Sequence, residues 1–212
     1  MRAPLSTLIP QLRVCTRATE ELLPATSTPS MKNFVFLDTE LTDLLAPRLL
    51  SVGMVTWNGR EHYVELDPAH LANAATFAKA SGFVRTCGVL DQWNRVMGAA
   101  ASAPEMGRRT ARWLLGLAAQ FDEPLVIAFD HAGDYALVEE CIRDSGLWDR
   151  VREVVRPRNV NEINGVFESN LAAEYAYEAL RRRDLARHHA LADAHALRAA
   201  YVAYTTGKRV RL

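Results

Sequence analysis

An apolar run that closes on two acids, Phe34-Val35-Phe36-Leu37-Asp38-Thr39-Glu40, constrains this chain more than any other segment. Aromatic and β-branched residues suit an extended strand. Alternate side chains of a strand share a face, so Asp38 and Glu40 point the same way. Two carboxylates on one face repel each other, and a cation beside them offsets the cost. A hard divalent ion such as Mg²⁺ answers that need, because it binds carboxylate oxygens and keeps several waters.

Two later segments add partners. His188-His189-Ala190-Leu191-Ala192-Asp193 opens an alanine- and leucine-rich stretch that reads as a helix over 191–205. Asp193 follows His188 by five residues. That is more than one helical turn, which places His188 in the loop at the helix entrance and Asp193 in the first or second turn. His189 stands four residues before Asp193, and would make a local His–Asp contact if the helix had already begun. Between these ends, 125–129 reads as a buried strand running into Asp130, and Asp134-Tyr135-Ala136-Leu137 opens a helix.

In this order the three segments resemble the DEDD exonuclease superfamily, in its histidine-containing (DEDDh) branch. That family carries Asp-x-Glu on its first strand, an Asp opening a mid-chain helix, and His-x-x-x-x-Asp near the end. Asp38 and Glu40 match the first motif, Asp134 the second, and His188 with Asp193 the third, over residues 31–207. The local wording is most similar to small stand-alone bacterial or phage-type exoribonucleases.

The resemblance implies an α/β fold with a ribonuclease-H-like mixed sheet flanked by helices. It implies a 3′-to-5′ exoribonuclease that releases nucleoside 5′-monophosphates with two Mg²⁺ (or Mn²⁺) ions. Asp38 would bridge both ions, Glu40 and Asp193 would complete one, Asp134 would support the other, and His188 would be the general base. Leu41 and Thr42 would meet the terminal base and sugar, and Arg187 a phosphate. The implied partners are single-stranded or 3′-overhang RNA, with DNA as the alternative, and a second copy in a homodimer.

The middle motif departs from the family, which has Asn four residues before the middle Asp in a His-Asn-x-x-Phe-Asp pattern. Asp130 holds that place here, and Gly133 replaces the aromatic. Asp130 and Asp134 therefore compete for one role. Tyr135-Ala136-Leu137 continues the helix as the family pattern does, which favours Asp134 and leaves Asp130 as a strand-end cap or a supporting partner.

The chemistry follows from the residue types as well. Phosphodiester hydrolysis needs a nucleophilic water near neutral pH and a way to hold charge on the leaving oxygen; two divalent ions about 4 Å apart supply both. Carboxylate oxygens favour Mg²⁺ or Mn²⁺ over Zn²⁺. A histidine with an ordinary pKa near 6.5 suits proton transfer at neutral pH. The other readings are a DNA-trimming or proofreading-type exonuclease and a catalytically silent nucleic-acid-binding module; the intact set of four acids and a histidine argues against silence.

A chain of 212 residues, 49% apolar, can bury one good core. Net charge is zero, yet residues 181–212 hold eight Lys or Arg against Asp184 and Asp193, a basic segment suited to a nucleic-acid backbone. Cys15, Cys87 and Cys141 form no Cys-x-x-Cys pair, so a zinc site or disulfide framework is not indicated, and reduced thiols in a cytoplasm are the simplest account. Neither a Walker A loop nor Gly-x-Gly-x-x-Gly occurs, and no stretch has transmembrane length. Residues 1–30, with Pro4, Pro10, Pro24 and Pro29 among many Ser and Thr, read as a disordered extension to a single domain over 31–212.

The remaining expectations are local. Strands are expected over 48–57 and 61–66 with a hairpin at Asn58-Gly59, and a short strand over 152–156, before Pro157. Helices are expected over 69–80, 103–121, 134–145 and 168–183, with 85–101 irregular. Trp57 and Trp93 read as packing residues, with base stacking at Phe83 and Trp93 as the alternative; His62 and His70 read as surface, His131 as a turn residue without a motif role, and His195 as an exposed helix position. Tyr175 and Tyr177 lie two apart and cannot share one helix face.

Overall fold

The computed structural model describes residues 31–207. The extension expected over 1–30, and Lys208, Arg209 and Arg211 of the basic segment, lie outside the described residues.

Chain order begins with an antiparallel meander: β1 (Phe34–Leu41), β2 (Leu49–Thr56) and β3 (Glu61–Leu66). The β2–β3 loop turns at Gly59, whose φ of 89° lies in the left-handed region that glycine adopts freely. Two short helices, α1 (Ala74–Phe77) and α2 (Gly82–Thr86), precede β4 (Ala100–Ala101) and α3 (Ala103–Ala118). Then come β5 (Leu125–Phe129), α4 (Ala132–Asp144), α5 (Trp148–Val154), β6 (Val155–Asn159), α6 (Phe167–Leu180) and α7 (Ala190–Thr206).

Among the described residues six strands form one mixed sheet in the order β4-β3-β2-β1-β5-β6. β1, β5 and β6 run parallel, and β4 runs parallel to β3. This is the expected α/β architecture, a mixed sheet flanked by helices, consistent with a ribonuclease-H-like fold.

Strand alternation sorts β1 between two layers. Val35 and Leu37 join the core under α3, α4 and α5, with Ile127, Leu114 and Ile142. Phe34 and Phe36 face the other way, against Leu197, Ala200 and Tyr201 of α7. Asp38 and Glu40 continue that second series, so both acids look toward α7. α7 itself is enclosed between the sheet and α6, where Ala172 and Ala176 meet Ala196, Ala199 and Ala203. Small side chains let the two helices approach closely. Residues 190–203 are all buried except the half-buried Asp193.

Several local expectations change. The helix expected over 69–80 is a short 3₁₀ turn followed by the four residues of α1. Residues 152–154 end α5, and the strand falls at Val155–Asn159 with Pro157 inside it. Among the described residues β6 pairs only with β5, and an edge strand tolerates a residue that cannot donate to a ladder. His195 is buried rather than exposed, with its Nε2 2.7 Å from Glu61, which also accepts from Arg183 at 2.8 Å. His62 is half-buried, stacked on Trp113 and 3.1 Å from the Thr110 hydroxyl, and burial pushes its pKa down to about 4. Trp57 packs on Phe36, and the Trp93 indole donates to the Leu66 carbonyl at 2.9 Å. Among the described residues, no helix is long and apolar enough to cross a membrane.

Candidate active site

The site forms where β1 outruns its neighbour. β1 and β5 pair in parallel through Phe36 and Ala128. Two residues further on, Asp38, still within β1, meets Asp130 just past the end of β5. α4 starts directly after β5 and brings Asp134 in from its first turn. Carboxylate oxygens of Asp38, Asp130 and Asp134 lie within 4.8 Å of one another. α7 supplies the other half: Glu40, His188 and Asp193 also place ligand-type atoms within 4.8 Å of one another.

The competition between Asp130 and Asp134 is thus not exclusive in space. Both reach Asp38, but they differ in setting. Asp134 is buried and accepts a 2.6 Å hydrogen bond from the Thr39 hydroxyl, while Asp130 is half-buried at the cleft. Thr39 lies between the two β1 acids and so points to the opposite face, toward α4.

Electrostatics mark the cluster as short of positive charge. Burial pushes the Asp38 carboxyl well up, and Asp193, Asp134, Glu40 and Asp130 push it further. Glu40 rises to about 9 through burial, Asp193 and Asp134. Burial also lifts Asp134 to about 6, against the Thr39 hydrogen bond. Asp193 rises to about 6 by burial, resisted by hydrogen bonds from Tyr177 and His188. Carboxylates facing one another with little contact to water resist ionising together, and a cation placed among them would relieve that cost. The donors are oxygens plus one imidazole, a set that fits Mg²⁺ or Mn²⁺ better than Zn²⁺.

The two neighbouring histidines have different surroundings. His188 sits ahead of α7 with φ 64°, and its backbone N–H donates to Asp193 Oδ2 at 3.0 Å. Its side chain lines a polar cleft of about 250 Å³ with Asp38, Asp130 and Asp193. His189 is buried, stacks on Tyr63 at 4.3 Å, and caps α7 by accepting the Leu191 N–H at Nδ1. A buried ring so engaged stays neutral, its pKa pushed down to about 4 by burial.

The expected substrate contacts divide. Leu41 borders an apolar cavity of about 370 Å³ that Glu40 shares with Leu44, Leu45, Phe83 and Val84. Leu44, Leu45 and Phe83 are exposed there, and Phe83 meets the His188 ring edge-on at 5.8 Å. Thr42 is fully buried and closes the β1–β2 loop, its hydroxyl accepting the Arg48 N–H at 3.0 Å, so its side chain is not presented to either cavity. Arg187 borders the polar cleft, lies 4.2 Å over the Tyr177 ring and pairs with Glu174. Arg181 and Arg183 pair with Glu178 and Glu61.

Thr39 carries no motif role in the sequence, and Tyr177 stands there only for its place on a helix face. The Tyr177 hydroxyl donates to Asp193 Oδ1 at 2.6 Å across sixteen residues; no local pattern encodes such a pair. Thr39 was legible in principle, since a hydroxyl between two strand acids must face the other layer.

No protein-family model matches this sequence, and no curated protein matches it.

Proposed function

We propose that this protein is a metal-dependent 3′-to-5′ exoribonuclease that releases nucleoside 5′-monophosphates. The observation that carries the reading is that Asp38, Glu40, Asp134 and Asp193, brought from β1, α4 and α7, repel one another at close range, with His188 beside Glu40 and Asp193. The polarity of attack and the preference for RNA rest on the resemblance of the three motifs to the DEDDh exonucleases.

In this reading the carboxylates of Asp38, Glu40, Asp134 and Asp193 hold the ions, and Asp130 stands beside Asp38 as a further oxygen donor. Two Mg²⁺ or Mn²⁺ ions supply the positive charge that an attacking water and a departing oxygen require. His188 takes the proton of that water. Its backbone N–H holds Asp193, and its ring lies edge-on to Phe83 where the residue borders the cleft. Leu41, Leu44 and Phe83 offer an apolar surface beside Glu40 for a terminal base, and base stacking on such surfaces is tolerant of sequence. Arg187 borders the polar side, where a phosphate would lie.

Mononucleotide release with Mg²⁺ tests the assignment. His188→Ala is expected to slow it roughly 10²–10⁴-fold, the range for a lost general base, and Asp38→Asn to abolish it with the fold intact. His189→Ala is expected to cost stability, about 0.5–2 kcal/mol for a lost helix cap, while keeping most of the activity per folded molecule. Full activity in Asp38→Asn would end the reading.

A further inference from the structure

We propose that Tyr177 is a positioning residue for Asp193, fixing that carboxylate for the ion from its place on α6. The inference rests on the metal reading above.

Both oxygens of Asp193 already have partners. Oδ1 accepts from the Tyr177 hydroxyl at 2.6 Å and Oδ2 from the His188 backbone N–H at 3.0 Å. Each carboxylate oxygen has a second lone pair, and these remain for Glu40's side of the cleft, where the ligand-type atoms converge. An aspartate gripped at both oxygens cannot rotate its carboxylate without breaking a hydrogen bond. The grip therefore fixes the direction in which a cation is received.

Tyr177 is itself held. Arg187 lies 4.2 Å over its ring, and Arg187 pairs with Glu174, one turn earlier on α6. The ring also packs against the alanine face of α6 and α7. A chain of contacts thus runs from Glu174 at the surface, through Arg187 and Tyr177, to Asp193. Partners that hydrogen-bond a ligating carboxylate orient it, and losing one typically costs 10–100-fold in metal affinity.

The test is calorimetric titration of the full-length protein with Mn²⁺ alone, in Tyr177→Phe, Asp193→Asn and the double variant. Phenylalanine keeps the ring, its packing and the surface under Arg187, so only the hydroxyl is lost. Tyr177→Phe is expected to weaken Mn²⁺ uptake by about 10-fold or more. On the Asp193→Asn background it is expected to add nothing, because the group it positions is gone. Two results overturn the proposal while the parent still binds Mn²⁺: an unchanged affinity in Tyr177→Phe, or the same loss with and without Asp193. A parent protein that takes up no Mn²⁺ overturns the metal reading itself, and this proposal with it.

Discussion

Glu40 is held near 9 because it is buried facing Asp193 and Asp134, and the sign of its effect on stability follows. Its folded-state pKa lies above the ordinary carboxyl value, as do those of Asp38, Asp134 and Asp193. Between the unfolded and folded values the folded protein holds more protons, so stability falls as pH rises. In EDTA the loss should begin near the ordinary carboxyl range of about 4 and continue to about 9, as the buried carboxyls ionise. Glu40→Gln removes one of these groups and should flatten the decline, and Mg²⁺ should reverse it in the parent. Melting temperatures across that range check this; a parent that gains stability from pH 5 to 9 in EDTA, with no difference in Glu40→Gln, would contradict the charge conflict. Motif acids were legible as residues because strand alternation and spacing fix where they point. His195 was not. It sits in a helix buried on nearly every side, where no polar stripe marks an outward face, and its partner Glu61 is 134 residues away.

Among the elements, α7 is seated by a glycine. Gly53 of β2 lies opposite Asp38 in the register, and a Cβ there would collide with the backbone of Ala190 at the start of α7. The close approach brings Asp193 and the His188 loop down onto β1. Gly53→Ala should therefore destabilise the fold by about 1–3 kcal/mol, the usual cost of overpacking, and should also lower activity in the fraction that folds, because the helix start is pushed away from Asp38. Denaturant unfolding and mononucleotide release together check it; a variant as stable and active as the parent would show that α7 does not need this contact. β2, β3 and β5 were readable to within a residue as runs bounded by turn signals, whereas the two residues of β4 fell inside a stretch read as irregular. The connection from β3 to α3 was not readable, because α1 and α2 are too short to carry a helical period. At β6, Pro157 reads as a terminator in sequence and is a tolerated edge position in the sheet.

At the scale of the molecule, the fold builds the candidate site by bringing two helical layers to one end of a sheet. α4 arrives from one side with Asp134, α7 from the other with Asp193, and β1 outruns β5 to place Asp38 between them. Motif order along the chain foretold this convergence through the resemblance; composition and periodicity alone gave only an α/β sheet. Glu40 borders an apolar cavity, while Asp38, Asp130 and Asp193 border a polar cleft. The most direct measurement is incubation of the purified protein with Mg²⁺ and matched 5′-labelled RNA and DNA oligonucleotides, resolved on a sequencing gel. The account predicts an EDTA-sensitive ladder that shortens from the 3′ end, faster on RNA. Intact oligonucleotides of both kinds, from folded protein with Mg²⁺ or Mn²⁺ present, would contradict it.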